Sequence, residues 1–486
     1  MHSDDTIVAI STPQGRSGIG VVRLSGKDAL GLFRHLMVNN SAKDGEGSSP
    51  EMWNAPAEIL RTGREGEATA PIGLAPRYAT RVKLIDPGRG LPLDEAVATY
   101  FKAPHSYSGE DVVEISCHGS PIVLQRIVEL LIERGARIAD PGEFTLRAFL
   151  NGKVDLVQAE AIHDLIQAKT LYQAQVALQQ AHGALSKALA PLKEQLVELI
   201  ALLEAGIDFA EDDVTFPSFK EIQSRIEALL RDVAPIRQTC RLGRILREGL
   251  SLAIIGRPNV GKSSLFNRLL SSERAIVAEI PGTTRDVISE QAQIKGIPVR
   301  LVDTAGIRES RDTVEQEGVA RAYAALAESD LVLLVFDASQ DWDPGDESLV
   351  HKMESLGHLI VFNKCDLVAR LEGPPGLMDP GRTVRVSAKT GEGIGALQDR
   401  IFTLASGRDS AEVGLQSVVT NFRHQQLLSE CHSKLESGLE AARRGEPHEV
   451  LLLDLYAAVR ALDTITGATT VEDILENIFS RFCVGK

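Results

Sequence analysis

Residues 256–264, GRPNVGKSS, restrict the possible folds of this chain more than any other stretch. They match the pattern G-x-x-x-x-G-K-[ST] and follow the apolar run LSLAII, which predicts a buried strand, a glycine-rich loop and a helix in that order. Backbone amides of such a loop turn inward around phosphate groups, and the N-terminus of the next helix adds partial positive charge. We expect Lys262 to reach the β- and γ-phosphates and the Ser263 hydroxyl to ligate Mg²⁺.

Three more motifs follow, each after a predicted strand: DTAG at 303–306, NKCD at 363–366 and SAK at 387–389. The DTAG carboxylate can hold the magnesium shell, and its glycine amide can meet the γ-phosphate. Asp366 can accept both the ring and the exocyclic N–H of guanine, a pair of donors that adenine does not present. The Ala388 amide can donate to the guanine oxygen. These motifs, in this order, resemble those of translation-factor-like GTPases, so we expect the nucleotide to be GTP.

The loop between the first two motifs, AEIPGTTRD at residues 278–286, is expected to change conformation with the nucleotide. In the GTPases that this domain resembles, a threonine here, Thr284, closes over the γ-phosphate and the magnesium ion. Gly282 beside it gives the loop conformational freedom. The residues predicted to bind GTP are Asn259, Val260, Gly261, Lys262, Ser263, Ser264, Ala278, Glu279, Ile280, Pro281, Gly282, Thr283, Thr284, Asp303, Thr304, Ala305, Gly306, Asn363, Lys364, Cys365, Asp366, Ser387, Ala388 and Lys389.

The motifs alone leave open which residue positions the attacking water. Ile307 stands where Ras-like enzymes have a glutamine, and its side chain cannot form a hydrogen bond. Three acids downstream are candidates for this role: Glu309, Glu315 and Glu317.

The transferred phosphate also needs a cation, worth roughly 10³ to 10⁵ in rate where an arginine finger supplies it. The candidates for that cation are Arg285, Arg308 and a monovalent ion held by the Asn259 side chain.

The composition is typical of a globular protein of about three domains, because 43% of the 486 residues are hydrophobic and 24% are charged. The first residues lack a basic region followed by a long apolar core, so we expect no signal peptide. No apolar run reaches the roughly 18 residues that a membrane span needs. Five scattered cysteines form neither a disulfide framework nor a CxxC pattern. We therefore expect a cytoplasmic protein that does not enter a membrane.

Changes in pattern along the chain predict the domain organisation. Strand-like runs with one helical stretch indicate an N-terminal α+β domain at residues 1–151. Residues 152–248 and 409–486 have the composition and apolar spacing of long helices, and we expect them to form one helical domain. Residues 249–408 alternate strands and helices, which predicts a Ras-like P-loop α/β domain with a mostly parallel sheet, inserted in the helical domain. The predicted fold class is therefore multidomain α/β plus α.

Stretches along the whole chain resemble the MnmE (TrmE) family of tRNA-modifying GTPases. They are DTIVAISTPQGRSGIGVVRLSG, YSGEDVVEISCHG, ADPGEFTLRAFLNGKVDLVQAEAI, PGTTRD with the nucleotide motifs, and the terminal FCVGK. The resemblance implies an N-terminal domain that dimerises and binds 5-formyltetrahydrofolate or a related tetrahydrofolate. It implies GTP hydrolysis stimulated by potassium when the two GTPase domains of a homodimer meet. With a flavin-dependent partner, MnmG (GidA), the family installs a carboxymethylaminomethyl-type group at C5 of the wobble uridine of certain tRNAs.

The same resemblance implies roles for individual residues. The folate contacts of the family fall on Arg23, Glu114, Lys153 and Lys486. The potassium ligands fall on Asn259, Ala278, Ile280 and Thr283. Ala278 departs from the threonine that some members have, so only its backbone carbonyl could reach the ion. The magnesium ligands are Ser263 and Thr284, and the water-orienting acid falls on Glu315. The expected catalytic residues are therefore Glu315, Asn259 and Thr284.

Two other functions fit parts of the sequence. A ribosome-assembly or RNA-binding GTPase would carry a basic appendage, because phosphate backbones are bound mainly by Lys and Arg, and the net charge of −15 is unfavourable to that reading. A folate-dependent one-carbon enzyme regulated by GTP would turn over its substrate without the flavoprotein.

Two smaller features each allow two interpretations. Cys483 is either a reactive thiol or a packed side chain. Cys117 with His118 fits a packed strand end better than a metal site.

Overall fold

The computed structural model describes residues 4–37, 74–208, 218–272, 292–302, 329–353, 357–368, 379, 381–407, 418–469 and 472–485. The chain divides into two compact units, one of residues 1–160 with 470–486 and the other of residues 161–469. Each unit contains a six-stranded sheet in its described part. Two sheets together with long helices confirm the predicted fold class. The finer domain bounds at residues 151, 248 and 408 remain predictions.

The sheet of the first unit has the strand order β3-β4-β5-β2-β1-β6. Its strands are β1 (Ile7–Ile10), β2 (Ser17–Ser25), β3 (Ala79–Asp86), β4 (Leu91–Phe101), β5 (Val112–Gly119) and β6 (Arg137–Ile138). All neighbouring strands are antiparallel except β1 and β6. Buried and more exposed residues alternate along β2 and β5, as expected for an antiparallel sheet with one face on the core.

Five helices complete this unit in its described part, and the first two pack on the buried face of the sheet. They are α1 (Ala29–Arg34), α2 (Pro121–Ile132), α3 (Glu143–Leu150), the first part of α4 (Leu156–Gln167) and α14 (Glu472–Phe479). Pro121 begins α2, where its missing N–H costs nothing, and the buried residues Leu124, Ile127 and Leu131 recur at helical spacing against the sheet. Leu475 of α14 belongs to a small apolar cluster with the first turn of α4.

The second unit contains a layer of long helices. They are α5 (Leu171–Ala181), α6 (Ala184–Asp208), α7 (Phe219–Gln238), α8 (Cys240–Glu248), α12 (Phe422–Arg444) and α13 (His448–Thr466). A capping box between Thr170 and Gln173 begins α5, and left-handed Gly445 and Gly467 end α12 and α13. Helix α12 packs against α7 and α13, and α13 against α6, so helices from both predicted helical stretches contact each other.

The sheet of the second unit has the strand order β12-β11-β10-β7-β9-β8, and every pair is parallel except β8 with β9. Its strands are β7 (Leu250–Ile255), β8 (Ala292–Ile294), β9 (Ile297–Val302), β10 (Leu331–Asp337), β11 (His358–Asn363) and β12 (Thr383–Arg385). Its helices are α9 (Lys262–Ser272), α10 (Pro344–Lys352) and α11 (Ile394–Ser406). Strands β7, β10 and β11 are buried along their whole length, and two apolar clusters fill the two faces. The carboxyl ends of these parallel strands therefore meet at one edge, where ligands of open α/β sheets bind.

Replacing Gly243 by alanine is expected to destabilise the second unit. Gly243 lies in α8, and a methyl group there would come within 1.8 Å of the Val419 carbonyl oxygen, so the backbone would have to move. Overpacking of this kind costs about 1 to 3 kcal/mol, which exceeds the roughly 1 kcal/mol that alanine gains over glycine in a helix. Thermal unfolding followed by circular dichroism should show a lower midpoint.

Gly438→Ala in α12 is the matched control. Its methyl group would lie 3.6 Å from the nearest atom, on Leu455, which is an ordinary contact. Since alanine favours the helix more than glycine does, the midpoint of thermal unfolding should stay the same or rise slightly. A midpoint for Gly243→Ala that equals that of Gly438→Ala would contradict the packing of α8 on residues 418–420.

Candidate functional site

The phosphate-binding motif occupies the loop from the buried strand β7 to α9, as the sequence predicts. Gly261 has a φ of 96°, and a Cβ there would come within 2.3 Å of the Asn363 amide nitrogen, so only glycine fits. The Lys262 Nζ donates to the carbonyl oxygens of Gly256 and Arg257, both at 2.7 Å. Ser263 follows in the first turn of α9 and is exposed. A helix N-terminus, an ammonium group and hydroxyls at one loop are suited to phosphate.

A buried asparagine joins this loop to the SAK loop. Asn363 ends β11 and is 2% exposed. Its Nδ2 donates to the Val260 carbonyl at 2.8 Å, and its Oδ1 accepts from the Ala388 amide at 3.0 Å. An asparagine side chain carries both a donor and an acceptor. It can therefore pair with a backbone carbonyl of one loop and with a backbone amide of the other. The NKCD and SAK motifs and the phosphate loop are therefore brought together, as the strand order requires.

The next residue, Lys364, connects the phosphate loop with a carboxylate. Its Nζ donates to the Asn259 carbonyl at 2.9 Å and forms an ion pair of 2.6 Å with Asp337. Burial alone would raise the pKa of Asp337, but hydrogen bonds from Lys364 and Ser339 outweigh burial and hold that pKa below its ordinary value. The carboxylate is thus ionised when it holds Lys364.

The predicted base-binding residues lie around these contacts. Asp366 is exposed in a short 3₁₀ turn whose Cys365 is buried, and burial raises the pKa of the Cys365 thiol. Ser387 is buried and its hydroxyl accepts from the Thr390 amide at 3.1 Å, which shapes the SAK loop. Lys389 is exposed. Asp366 is therefore accessible to a ligand, whereas the Ala388 amide, which was expected to meet the guanine oxygen, donates to Asn363 in this structure.

Three supporting residues were not identified from the sequence. Arg268 of α9 donates to the Ala388 carbonyl at 2.9 Å and to the Lys389 carbonyl. Arg257 of the phosphate loop forms an ion pair with Asp346. Asp337 holds Lys364. Only Asp337 carries a sequence signal, since it ends a buried apolar strand at the edge where ligands bind.

Many predicted site residues lie outside the described part of the chain. In the GTPase domain these are Ala278, Glu279, Ile280, Pro281, Gly282, Thr283, Thr284, Asp303, Thr304, Ala305, Gly306 and Glu315, and at the C-terminus Lys486. Their roles in nucleotide, magnesium, potassium and folate binding stay predictions.

The first unit brings together two of the predicted folate contacts. Arg23 of β2 lies directly opposite Glu114 of β5, and its Nε donates to the Glu114 carboxylate at 2.9 Å. The guanidinium also lies 5.7 Å from the ring centres of Tyr107 and Phe144, two aromatic residues that the sequence reasoning missed. Lys153 is exposed just after α3, and the described residues show no hydrogen bond from its side chain to this pair.

The C-terminal tail runs alongside the same pair. The Gly485 carbonyl accepts from the Ser11 hydroxyl at 3.0 Å and from Arg23 at 3.4 Å. Gly485 has a φ of 97°, and a Cβ there would come within 2.5 Å of the Ile10 carbonyl, so this position requires glycine. Phe479 and Phe482 pack in the apolar cluster with the first turn of α4. The tail is thus an ordered part of the first unit, with Cys483 exposed.

No group of three or more His, Cys, Asp or Glu side chains is placed to hold a metal ion within the described ranges. Cys117 is buried, and the His118 ring instead lies 2.7 Å from the Asp94 carboxylate. Where the helices are described, none combines the length and apolar character needed to cross a membrane.

Replacing Asn363 by alanine is expected to weaken guanine nucleotide binding roughly 30-fold or more, because it leaves a buried carbonyl and a buried amide unpaired at about 1 to 3 kcal/mol each. Titration calorimetry with GDP would measure the change. Asn421→Ala is the matched control, since Asn421 only caps α12 by accepting from the Arg423 amide. Equal affinity of Asn363→Ala and Asn421→Ala for GDP would remove Asn363 from the site.

The chain is similar to known proteins along its whole length. Residues 156–483 match the family model of the MnmE helical domain, and residues 6–153 match that of the GTP-binding protein TrmE N-terminus. The chain is 47% identical over 489 residues to the tRNA modification GTPase MnmE of Koribacter versatilis (strain Ellin345), covering 100% of both chains. It is 44% identical to the protein of the same name from Aquifex aeolicus (strain VF5), covering 99% of this chain and 100% of that one.

Among solved structures, the G domain of the T. maritima FeoB iron transporter is 28% identical over 32% of this chain and 98% of its own, with a TM-score of 0.24. The family assignment does not depend on that likeness. It rests on the two family models and on relatives that match end to end. The chain belongs to the MnmE family of tRNA modification GTPases.

Proposed function

We propose that this protein hydrolyses GTP in the cytoplasm and, with the flavoprotein MnmG, installs a carboxymethylaminomethyl-type group at C5 of the wobble uridine of certain tRNAs. The observation that carries the proposal is the Asn363 amide, which holds the phosphate loop and the SAK loop together. GTP bound at this edge would have its phosphates at residues 256–264 and its base beside Asp366 and Ala388. Membership of a family of tRNA modification GTPases supports tRNA as the substrate.

The phosphate loop fits a magnesium nucleotide. The Ser263 hydroxyl is exposed at the N-terminus of α9, where it would ligate Mg²⁺, and Lys262 would hold the β- and γ-phosphates. We assign Thr284 as a second magnesium ligand. Magnesium supplies charge neutralisation on the phosphates, and the helix amides supply fixed positive dipoles next to it.

We assign potassium to the Asn259 side chain. The Asn259 backbone has a left-handed φ of 65°, and its carbonyl is held by Lys364, so the backbone is fixed while the side chain is exposed. The side-chain oxygen can then ligate a monovalent cation together with Ala278, Ile280 and Thr283. Such an ion would neutralise the transferred phosphate when the GTPase domains of a homodimer meet, and Glu315 would orient the attacking water.

The first unit is proposed to bind 5-formyltetrahydrofolate or a related tetrahydrofolate. Arg23 offers a cation, Glu114 a hydrogen-bond acceptor, and the rings of Tyr107 and Phe144 an aromatic surface, a combination suited to an aromatic ligand with acidic groups. Lys153 and Lys486 are assigned as further contacts. The folate would supply or sense a one-carbon unit.

Deleting the gene from its host should abolish the carboxymethylaminomethyl-type wobble uridine, which mass spectrometry of nucleosides from total tRNA would detect. The intact gene should restore the nucleoside, whereas Lys262→Ala should not, because it removes the cation that holds the phosphates. Lys220→Ala is the matched control: Lys220 is exposed on α7, outside the phosphate loop, and this variant should restore the nucleoside fully.

A host that normally carries the modification and has no second copy of the gene should be used. If its tRNA profile is unchanged by the deletion, the proposed modification is wrong and a GTPase of ribosome assembly becomes the better reading. Restoration by the gene in a strain without the flavoprotein would instead favour a folate-dependent one-carbon enzyme.

Asn259→Ala is expected to abolish the stimulation of GTP hydrolysis by potassium. The rate in potassium should fall roughly tenfold or more, to the rate in sodium, since a cation at the transferred phosphate contributes strongly to phosphoryl transfer. Steady-state phosphate release in the two salts would measure this, with GTP affinity recorded in parallel. Pro258→Ala, a change at the exposed neighbouring residue, should keep the stimulation. Equal stimulation of Asn259→Ala and wild type would exclude Asn259 as a potassium ligand.

A further inference from the structure

A basic groove lies in the second unit between the junction of α7 and α8 and the first turns of α12. It has a volume of ≈ 440 Å³, and we call it the arginine groove. Its lining includes Arg237, Arg241 and Arg244 on one side and Gln425 and Ser429 on the other. Arg241 and Arg244 are three residues apart in α8 and share one helix face, while Arg237 lies in the last turn of α7.

The groove is positive although the chain is acidic. No Asp or Glu stands between Asp232 and Glu248, while the formal net charge of the whole chain is −15. Arg237 and Arg241 are exposed, and the described part of the chain places no carboxylate within 4 Å of either guanidinium. Two unneutralised arginines on a protein of this charge form a local site for an anionic partner.

Arg244 has a different position from the other two. Its guanidinium forms an ion pair with Asp330, whose second oxygen accepts from the Ser251 amide at 3.0 Å, and it lies 3.7 Å from Glu248. This contact fixes α8 to the start of β7, the strand that leads to the phosphate loop. Arg244 therefore anchors the floor of the groove, and Arg237 and Arg241 remain available to a ligand.

An exposed aromatic ring lies on the same helix face as the groove lining. Phe422 is 62% exposed, and it precedes Gln425 and Ser429 by three and seven residues in α12. Side chains at this spacing share one face of a helix. Exposed aromatic rings next to arginines are the surface on which unpaired RNA bases stack while their phosphates are neutralised.

We propose that the arginine groove binds the tRNA, with Arg237 and Arg241 on its phosphates and Phe422 stacked on an unpaired base. The proposal rests on the proposed function, because it assigns a surface to the tRNA named there. RNA is favoured over an acidic peptide because guanidinium groups match phosphate geometry and the aromatic ring needs a planar partner. The side-chain amide of Gln425 can donate to sugar or phosphate oxygens, while the Ser429 hydroxyl donates to the Gln425 backbone carbonyl at 2.9 Å.

The test is the affinity of the full-length protein for an unmodified tRNA transcript with a wobble uridine, measured by filter binding over a range of salt. Arg237→Gln with Arg241→Gln should weaken binding and reduce the slope of log affinity against log salt by about two, one for each lost phosphate contact. Phe422→Ala should weaken binding roughly tenfold at one salt concentration without changing that slope.

Two control variants separate local from general charge effects. Lys220→Gln with Arg231→Gln removes the same charge from exposed positions of α7 that do not line the groove, and it should leave affinity and slope close to wild type. Arg237→Lys with Arg241→Lys keeps the charge and should keep most of the slope. Basal GTP hydrolysis, which does not involve the groove, should stay unchanged in all variants and shows that they fold.

The outcomes distinguish this proposal from the proposed function. If wild type binds the transcript and both double glutamine variants bind it equally well, the groove assignment is wrong while tRNA remains the substrate. If both double glutamine variants lose the same affinity and slope, general charge is responsible and the assignment is again wrong. If wild type does not bind the transcript, the groove proposal fails, and the nucleoside analysis then decides whether the proposed function fails with it.

Discussion

The buried amide of Asn363 is the contact on which the nucleotide edge of the second unit depends. Two loops that are 103 and 25 residues away from it in sequence each need one polar partner, a donor for the Val260 carbonyl and an acceptor for the Ala388 amide. A short side-chain amide supplies both within the interior, where an unpaired group would be costly. Of the four residues of NKCD, the first therefore holds two loops together, and the last, Asp366, is exposed.

Polar contacts on other parts of the second unit attach the helices to the sheet. Arg244 of α8 pairs with Asp330 at the start of β10. The Thr170 hydroxyl at the start of α5 donates to the Gly296 carbonyl in the turn from β8 to β9 at 2.6 Å. Gln180 donates to the Val418 carbonyl. The first two contacts attach helices to the sheet next to β10 and β9, which both lie beside the strand that carries the phosphate loop, and the third attaches α5 to the segment before α12.

In the first unit a network of buried charges has the equivalent role. Arg147 is 5% exposed and forms ion pairs with Asp5, Glu110 and Glu143. Burial alone would raise the pKa of Glu143, but hydrogen bonds from Arg137 and Arg147 hold that pKa below its ordinary value. A buried charge with several partners fixes the chain segments that carry those partners. The network thereby joins the N-terminal segment, the loop before β5 and α3, which surround Arg23 and the C-terminal tail.

The sequence by itself determined the phosphate loop, the order of the nucleotide motifs, the buried parallel strands and the runs of helix, because each depends on local spacing and on apolar periodicity. Only the tertiary structure decided which side chains support those motifs. Asp337, Arg268, the ring pair around Arg23 and the arginine groove all join residues far apart in the chain. Even Arg23 and Glu114, which resemblance could select, become a pair through the register of β2 on β5. Register and helix packing are set by the whole core, and no local pattern encodes them.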